Sequence, residues 1–243
     1  MKAIIFTILF SLSFYCVAQD MQQYMQDTDD LINMEEYEEA LERTIWFHNH
    51  ALEHDKSMNG VRSSFALSDW HDFGKKYPPA LEALKKTRDD KTQSLLTGRG
   101  NPELFSDVLS INRTLSEKNK SLELFHNLDE KQPKLAKSSW VFAKDLIIKS
   151  KDYDLVNKYI GNLRVEYARN EVRFIEMSEF YKNNEKEFGN YEQNYANDYY
   201  VNRTKELLII AKKLNNSKAA EFIIKKATII VDEYNLDYDF TNQ

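Results

Sequence analysis

Two histidines flank a glutamate in the stretch His50-Ala51-Leu52-Glu53-His54, which has the order H-x-x-E-H. On a helix, residues four apart lie on one face, where two imidazoles can ligate Zn²⁺. Glu53 between them could then activate a zinc-bound water for hydrolysis. A third, acidic ligand would have to come from downstream in the chain. The residues available for that role are Glu117, Glu123 and Glu130.

The order H-x-x-E-H resembles the zinc motif of the inverzincin peptidases. That resemblance implies a mixed α/β fold with glycine-rich strands, whereas this chain has 6 glycines in 243 residues. A five-residue pattern also arises easily by chance in a helix rich in His and Glu. We therefore predict no metal ligand, no cofactor and no catalytic residue. Zinc-dependent hydrolysis through His50, Glu53 and His54 is kept as an alternative.

Two neighbouring groups of residues also have side chains that could do chemistry. His48 lies on the apolar face of the same predicted helix, which predicts a core histidine with a hydrogen-bond partner. Asp69-Trp70-His71-Asp72 cannot converge on one site, because adjacent residues of a helix point in different directions. Asp69 and Asp72 can share a flank, however, and a cation could bind there.

An aromatic stripe is predicted along one late helix, at steps of three and four residues. Its members are Phe188, Tyr191, Tyr195 and Tyr199, and Asn, Gln and acidic residues surround them. Two interpretations are open. The stripe packs against the last helix, or its rings are exposed and stack on sugars as a glycan-binding surface.

The first eighteen residues have the three-part pattern of a secretory signal. Lys2 is basic, Ala3 to Ser13 is apolar, and Cys16-Val17-Ala18 supplies small residues at the cleavage positions. We therefore predict a signal peptide over residues 1–18 and an exported protein, periplasmic or extracellular. Cleavage after Ala18 would remove the only cysteine, so the mature core would form without disulfides.

Composition favours helix and excludes some partners. Gly is 6 and Pro is 4, which is too few for the turns of a large β-protein. The net charge is −6 and charges of both signs are interleaved, so we expect no nucleic-acid partner. After the signal, no apolar segment approaches the roughly 20 residues of a transmembrane helix.

Apolar residues recur at helical spacing and predict about ten helices with short connections. Asp27–Asp30 is predicted to begin the first helix, and Asn59-Gly60 to end the next. A break is predicted at Gly74, and Pro78-Pro79 suits the first turn of the following helix. The β-branched run Thr228–Val231 is assigned to a helix because its neighbours have helical spacing.

Part of the chain has the spacing of a repeat with a period of about 34 residues. Residues 105–133 have the spacing of one unit, residues 140–163 follow one repeat later, and residues 33–41 match a turn and second helix. The chain thereby resembles tetratricopeptide-like (TPR-like) helical repeats over residues 21–168. The residues at these positions are Phe105, Val108, Leu109, Asn112, Ser121, Phe125, Leu128 and Pro133, then Trp140, Ala143, Ile147, Val156, Ile160 and Leu163.

The resemblance implies an all-α fold of antiparallel helical hairpins that form an α-α superhelix with longer C-terminal helices. We predict a repeat region over residues 19–168, C-terminal helices packed on it over 169–236, and a loose tail over 237–243. The stretch from Ser64 to Leu81 is also similar to exported bacterial proteins whose function is not established, which supports the fold alone.

Helical repeat arrays expose a concave surface to segments of other proteins. We therefore expect an exported, non-catalytic protein-interaction module that binds another exported or envelope protein through its groove. The alternatives are the zinc hydrolase and glycan binding described above. The sequence leaves the oligomeric state open.

Overall fold

A computed structural model describes residues 20–241, with their side chains except those of 185 and 187–193. Within that part of the chain the fold is all-α, with twelve α-helices, one 3₁₀ turn and no strand, which confirms the predicted class. The run Thr228–Val231 is helical, as predicted. The predicted signal peptide, residues 1–18, lies outside the described residues.

The helices form two compact units that divide between Gln132 and Pro133. The first unit contains α1 (Met21–Asn33), α2 (Tyr37–His54), a 3₁₀ turn (Lys56–Met58), α3 (Asn59–Arg62), α4 (Phe65–Lys76), α5 (Pro78–Leu96), α6 (Pro102–Thr114) and α7 (Lys118–Lys131). The second unit contains α8 (Pro133–Ser150), α9 (Tyr153–Tyr159), α10 (Leu163–Asn183), α11 (Glu185–Lys213) and α12 (Ser217–Tyr234).

Consecutive helices pack as pairs across short connections, among them α1 with α2, α4 with α5, α6 with α7, and α10 with α11. Short connections between packed helices are typical of helical hairpins. The arrangement of the hairpins as a superhelix stays a prediction. The predicted end of the repeat region at residue 168 lies inside α10.

Two helix ends differ from the sequence prediction because other side chains supply the caps. α1 begins at Met21, where Asp20 Oδ1 accepts a hydrogen bond from the backbone N–H of Gln22 at 2.9 Å. Asp27–Asp30 therefore lies within α1 and does not begin it. α2 ends at His54, and Asn59 begins α3. The predicted stop at Asn59-Gly60 was wrong because the Asp55 side chain caps the 3₁₀ turn that comes first.

The predicted helix break at Gly74 was wrong, because Gly74 lies inside α4 and allows two helices to approach. α4 continues to Lys76, and Gly74 is buried against α5. A Cβ at Gly74 would lie 2.7 Å from Leu81 Cβ and 2.9 Å from the Leu81 backbone nitrogen. α5 begins at Pro78 as predicted, where the missing N–H has no intrahelical partner to lose.

The first unit has a core at the meeting point of α2, α4, α5 and α6. Trp70 is 2% exposed, and its indole Nε1–H donates to the Ala80 carbonyl at 2.9 Å. This bond joins α4 to the first turn of α5. The buried residues of the cluster are Ala40, Leu67, Trp70, Phe73, Ala80, Leu84 and Ile111.

The second unit has an aromatic core between α10, α11 and the C-terminal segment. The Phe174 and Tyr200 ring centroids are 4.7 Å apart. Phe240 is 1% exposed and meets the Tyr200 ring edge-on at 6.3 Å. This corrects the expectation of a loose tail, because the apolar side chain of Phe240 anchors the described part of that segment in the core.

Candidate functional site

The predicted zinc motif lies at the exposed end of α2. His50 Nδ1 is 3.2 Å from Glu53 Oε1, and both side chains are substantially exposed. The Trp46 ring contacts both imidazoles, with ring centroids 5.4 Å from His50 and 5.3 Å from His54. Glu53 and Trp46 therefore engage the two histidines within their own helix.

The acidic residues proposed as a third ligand are not brought to this motif. Glu117 is held by Arg88 and lies 2.9 Å from Lys120 Nζ. Across residues 20–241, no group of three or more His, Cys, Asp or Glu side chains is close enough to hold a metal ion. The two histidines and Glu53 lie on one helix, but among the described residues no third acidic ligand joins them, as the zinc alternative requires.

His48 is a core histidine with a hydrogen-bonded neighbour, as predicted. Its side chain is 3% exposed. Arg62 Nη1 donates to the His48 carbonyl at 2.9 Å and lies 3.5 Å from Nε2. Burial, followed by the charges of Lys91 and Arg62, lowers the pKa of His48 to about 3, although Asp107 opposes the shift. His48 is therefore neutral at physiological pH.

The partner of Arg62 and Lys91 is a carboxylate that sequence analysis did not single out. Asp107 Oδ1 accepts from Arg62, and its Oδ2 accepts from Lys91 Nζ at 2.7 Å. Asp107 stands on α6, Arg62 on α3 and Lys91 on α5, so no periodicity within one helix signals the cluster. All three side chains are engaged with one another, and the cluster is best understood as structural.

The two described tyrosines of the aromatic stripe have different surroundings. Tyr195 is 54% exposed. The Tyr199 ring lies between two guanidinium groups, 5.4 Å from Arg173 and 5.7 Å from Arg203. The face of α11 that enters the core contains Tyr200 instead. The side chains of Phe188 and Tyr191 lie outside the described residues.

A cleft lies between α1, α2 and α4 in the first unit. It comprises an apolar cavity of about 40 Å³ and a depression of about 360 Å³ between α1 and α4, and the two share the lining residues Asp29, Ile32, Asp69 and Phe73. We call the two together the α1–α4 cleft. Asp69 and Asp72 both line the depression, which confirms that they share a flank. The apolar floor of the cleft consists of Met25, Ile32, Phe47, Ala66, Trp70 and Phe73.

The mouth of the α1–α4 cleft has carboxylates that face one another. Asp29 on α1 and Asp69 on α4 line both the cavity and the depression. Burial, then the charges of Asp29 and Asp72, raise the pKa of Asp69. Burial and then Asp30 raise the pKa of Asp29, with Lys76 opposing. The ionised form of Asp69 is therefore disfavoured beside an apolar floor.

A second groove lies in the second unit, where α11 turns into α12. It has a volume of about 540 Å³ and a largely aliphatic lining. Its lining residues are Leu208, Ile209, Ala211, Lys212, Asn215, Asn216, Ser217, Ala220 and Ile224. It lacks the aromatic floor of the α1–α4 cleft, so the α1–α4 cleft is the stronger candidate site.

Comparison of the chain with protein-family models, with curated proteins and with solved structures finds no match. The tetratricopeptide-like resemblance therefore stays a prediction. Among the helices of residues 20–241, none is both long enough and apolar enough to cross a bilayer.

Proposed function

We propose that this chain is an exported, non-catalytic protein-interaction module, and that it docks a segment of a partner protein in the α1–α4 cleft. The observation that carries the proposal is the composition of this cleft. Trp70, Phe73 and Phe47 line its cavity of about 40 Å³, and Phe73 also lines the depression of about 360 Å³. Aromatic side chains at the base of a groove are the usual anchors of protein interfaces.

The helices around the cleft supply rigid walls for a partner. α2 and α4 contribute Ala40, Trp70 and Phe73 to one buried cluster, so the floor is part of the core. α1 is fixed to α2 through Tyr24, whose ring centroid lies 4.8 Å from that of Trp46. A pre-formed groove lowers the entropy cost of association.

Selection of displayed random peptides on the chain from residue 20 onward would test this proposal. We expect enriched peptides to lose binding when Ala66→Leu fills the inner cavity of the cleft. Hydrogen exchange should show that the same peptides protect backbone amides of α1 and α4. Isothermal calorimetry on the purified variants would give the affinities.

Ala220→Leu is the matched control, because it makes the same change in the α11–α12 groove. Peptides that bind the α1–α4 cleft should be insensitive to it. Enriched peptides that ignore Ala66→Leu but respond to Ala220→Leu would move the docking site to the second unit. Peptides that respond to neither variant would contradict docking in either groove.

A further inference from the structure

The carboxylate of Asp69 at the mouth of the α1–α4 cleft has no cationic partner. Among the described residues it forms neither a hydrogen bond nor an ion pair, and the two charges that shift its pKa, those of Asp29 and Asp72, are both acidic. An ionised group that is partly withdrawn from water and faces like charges is destabilised. A cation placed beside Asp69 would relieve that repulsion.

Among the described residues, no cation near the cleft forms an ion pair with Asp69. Lys75 Nζ lies 2.7 Å from Asp72 Oδ1, so it neutralises the outer carboxylate. Arg43 on α2 donates through Nε to Thr28 Oγ1 at 3.1 Å and is directed at α1. Lys76 lines the same depression and lowers the pKa of Asp29. The lining of the depression thus has three carboxylates, those of Asp29, Asp69 and Asp72, and one ammonium group, so a further cation would be attracted to it.

The apolar residues of the cleft indicate that the occupant also has an apolar part. Met25, Ile32 and Phe73 line the cleft next to the carboxylates. A small hydrated cation would leave this apolar surface exposed to water, at a cost proportional to its area. A side chain with an aliphatic stem and a cationic head satisfies both parts of the site at once.

We propose that the occupant of the α1–α4 cleft is a basic amphipathic segment of a partner protein, which sets a lysine or arginine against Asp69 and apolar side chains over the floor. This inference rests on the proposed function, namely that the cleft docks a protein segment. It adds the chemistry of that segment: the polar face is cationic, not neutral or acidic.

Three synthetic peptides of about four helical turns would test the inference. They share leucines at i, i+3, i+4 and i+7 and differ only in the polar face, which is lysine, glutamine or glutamate. Fluorescence anisotropy on the chain from residue 20 onward should rank lysine first. Asp69→Asn should weaken the lysine peptide about tenfold, the loss of one charge-assisted contact. Glu42→Gln, an exposed acid outside the cleft, should leave it unchanged.

The outcomes separate the two proposals. If the glutamine or glutamate peptide binds as well as the lysine peptide and loses binding with Ala66→Leu, the cleft docks segments but the basic partner is wrong. If the lysine peptide binds equally well to Asp69→Asn and Glu42→Gln, the contact with Asp69 is wrong. If none of the peptides responds to Ala66→Leu, neither the basic segment nor docking in this cleft stands.

The affinity of the lysine peptide should also fall with acidification. Asp29 and Asp69 have raised pKa values, so they lose their charges before an ordinary carboxyl does as the pH decreases. The other charged groups facing them are Asp30, Asp72 and Lys76, and α2 presents the non-ionising Thr44 and Phe47. An affinity that is constant from about pH 7 to about pH 4 would contradict the carboxylate contact.

Discussion

Arg62 and Asp107 form an ion pair that joins α3 to α6 across 45 residues of sequence, with both side chains almost fully buried. The pair is extended by Lys91, whose Nζ lies 2.7 Å from the second carboxylate oxygen. A carboxylate that is buried with two cations is satisfied only while all three are present. This cluster stabilises the first unit, which contains the α1–α4 cleft.

Asp107→Asn should lower the free energy of unfolding by about 3 kcal/mol, because it leaves Arg62 and Lys91 buried without a counter-charge. Urea unfolding followed by far-UV circular dichroism would measure the change. Asp90→Asn is the matched control, because Asp90 pairs with Lys86 at an exposed site. There we expect less than about 0.5 kcal/mol.

The contribution of Asp107 should depend on pH. Burial alone would raise the pKa of this carboxyl, but the hydrogen bonds and charges of Arg62 and Lys91 outweigh burial and lower the pKa below 3.8. Its stabilisation is therefore present above the unfolded-state pKa and is lost as the pH falls through the folded-state pKa. Unfolding profiles of the wild type should converge with those of Asp107→Asn in strong acid.

Gly74→Ala should destabilise the chain by about 1–3 kcal/mol, because the added Cβ would meet Leu81 at 2.7 Å. Helix propensity alone predicts the opposite sign, a gain of about 1 kcal/mol for alanine inside a helix. Gly60→Ala provides the control, since nothing lies within 4 Å of a Cβ there. A thermal melt in which both substitutions stabilise would show that α4 and α5 do not approach at Gly74.

The Tyr167 and Tyr200 hydroxyls are 2.8 Å apart and buried. Burial raises the pKa of Tyr167 and brings that of Tyr200 to about 12. A tyrosine in the unfolded chain has a pKa of about 10. The contribution of the two buried tyrosines to stability is therefore fully present below about pH 10, and it is lost as the pH rises through their folded-state pKa values. The part of the tyrosinate absorbance that is lost in the Tyr167→Phe, Tyr200→Phe double variant should therefore appear together with unfolding.

Tyr167→Phe should cost about 1 kcal/mol at neutral pH, because it removes this one hydrogen bond. Tyr195→Phe is the matched control at an exposed position and should change stability little. Equal effects of the two substitutions in urea unfolding would argue against a buried hydroxyl pair.

Asp69→Asn should raise the melting temperature at neutral pH. The folded-state pKa of Asp69 is raised, so its ionised form is less stable in the folded chain than in the unfolded chain. The gain should shrink as the pH decreases and the carboxyl becomes protonated. Differential scanning fluorimetry across that range would follow it, with Glu42→Gln as the neutral reference.

Zinc should not be retained in stoichiometric amount by the purified chain. Glu53 is engaged with His50, and Glu117 is held by Arg88 and Lys120 on another element. Elemental analysis would measure the metal per chain. The hydrolase alternative would be supported if about one zinc per chain were found and if that zinc were absent from the His50→Ala, His54→Ala double variant.

The sequence by itself determined the all-α class, the start of α5 at Pro78 and the placement of residues on faces. The β-branched run Thr228–Val231 was assigned to a helix and lies within α12. His48 was assigned to the core and Asp69 and Asp72 to one flank, as observed. These features follow from local spacing, because the 3.6-residue period of a helix assigns each residue to a face.

Only the tertiary structure decided which faces meet. The insertion of Phe240 into the core and the buried cluster around Asp107 join residues far apart in the chain, and the approach at Gly74 joins two consecutive helices, α4 and α5. The α1–α4 cleft has the same origin, because Asp29 and Asp69 stand on helices that are separated in sequence by α2, the 3₁₀ turn and α3. Periodicity describes one helix at a time, whereas packing between helices depends on the complementary shapes and charges of both surfaces.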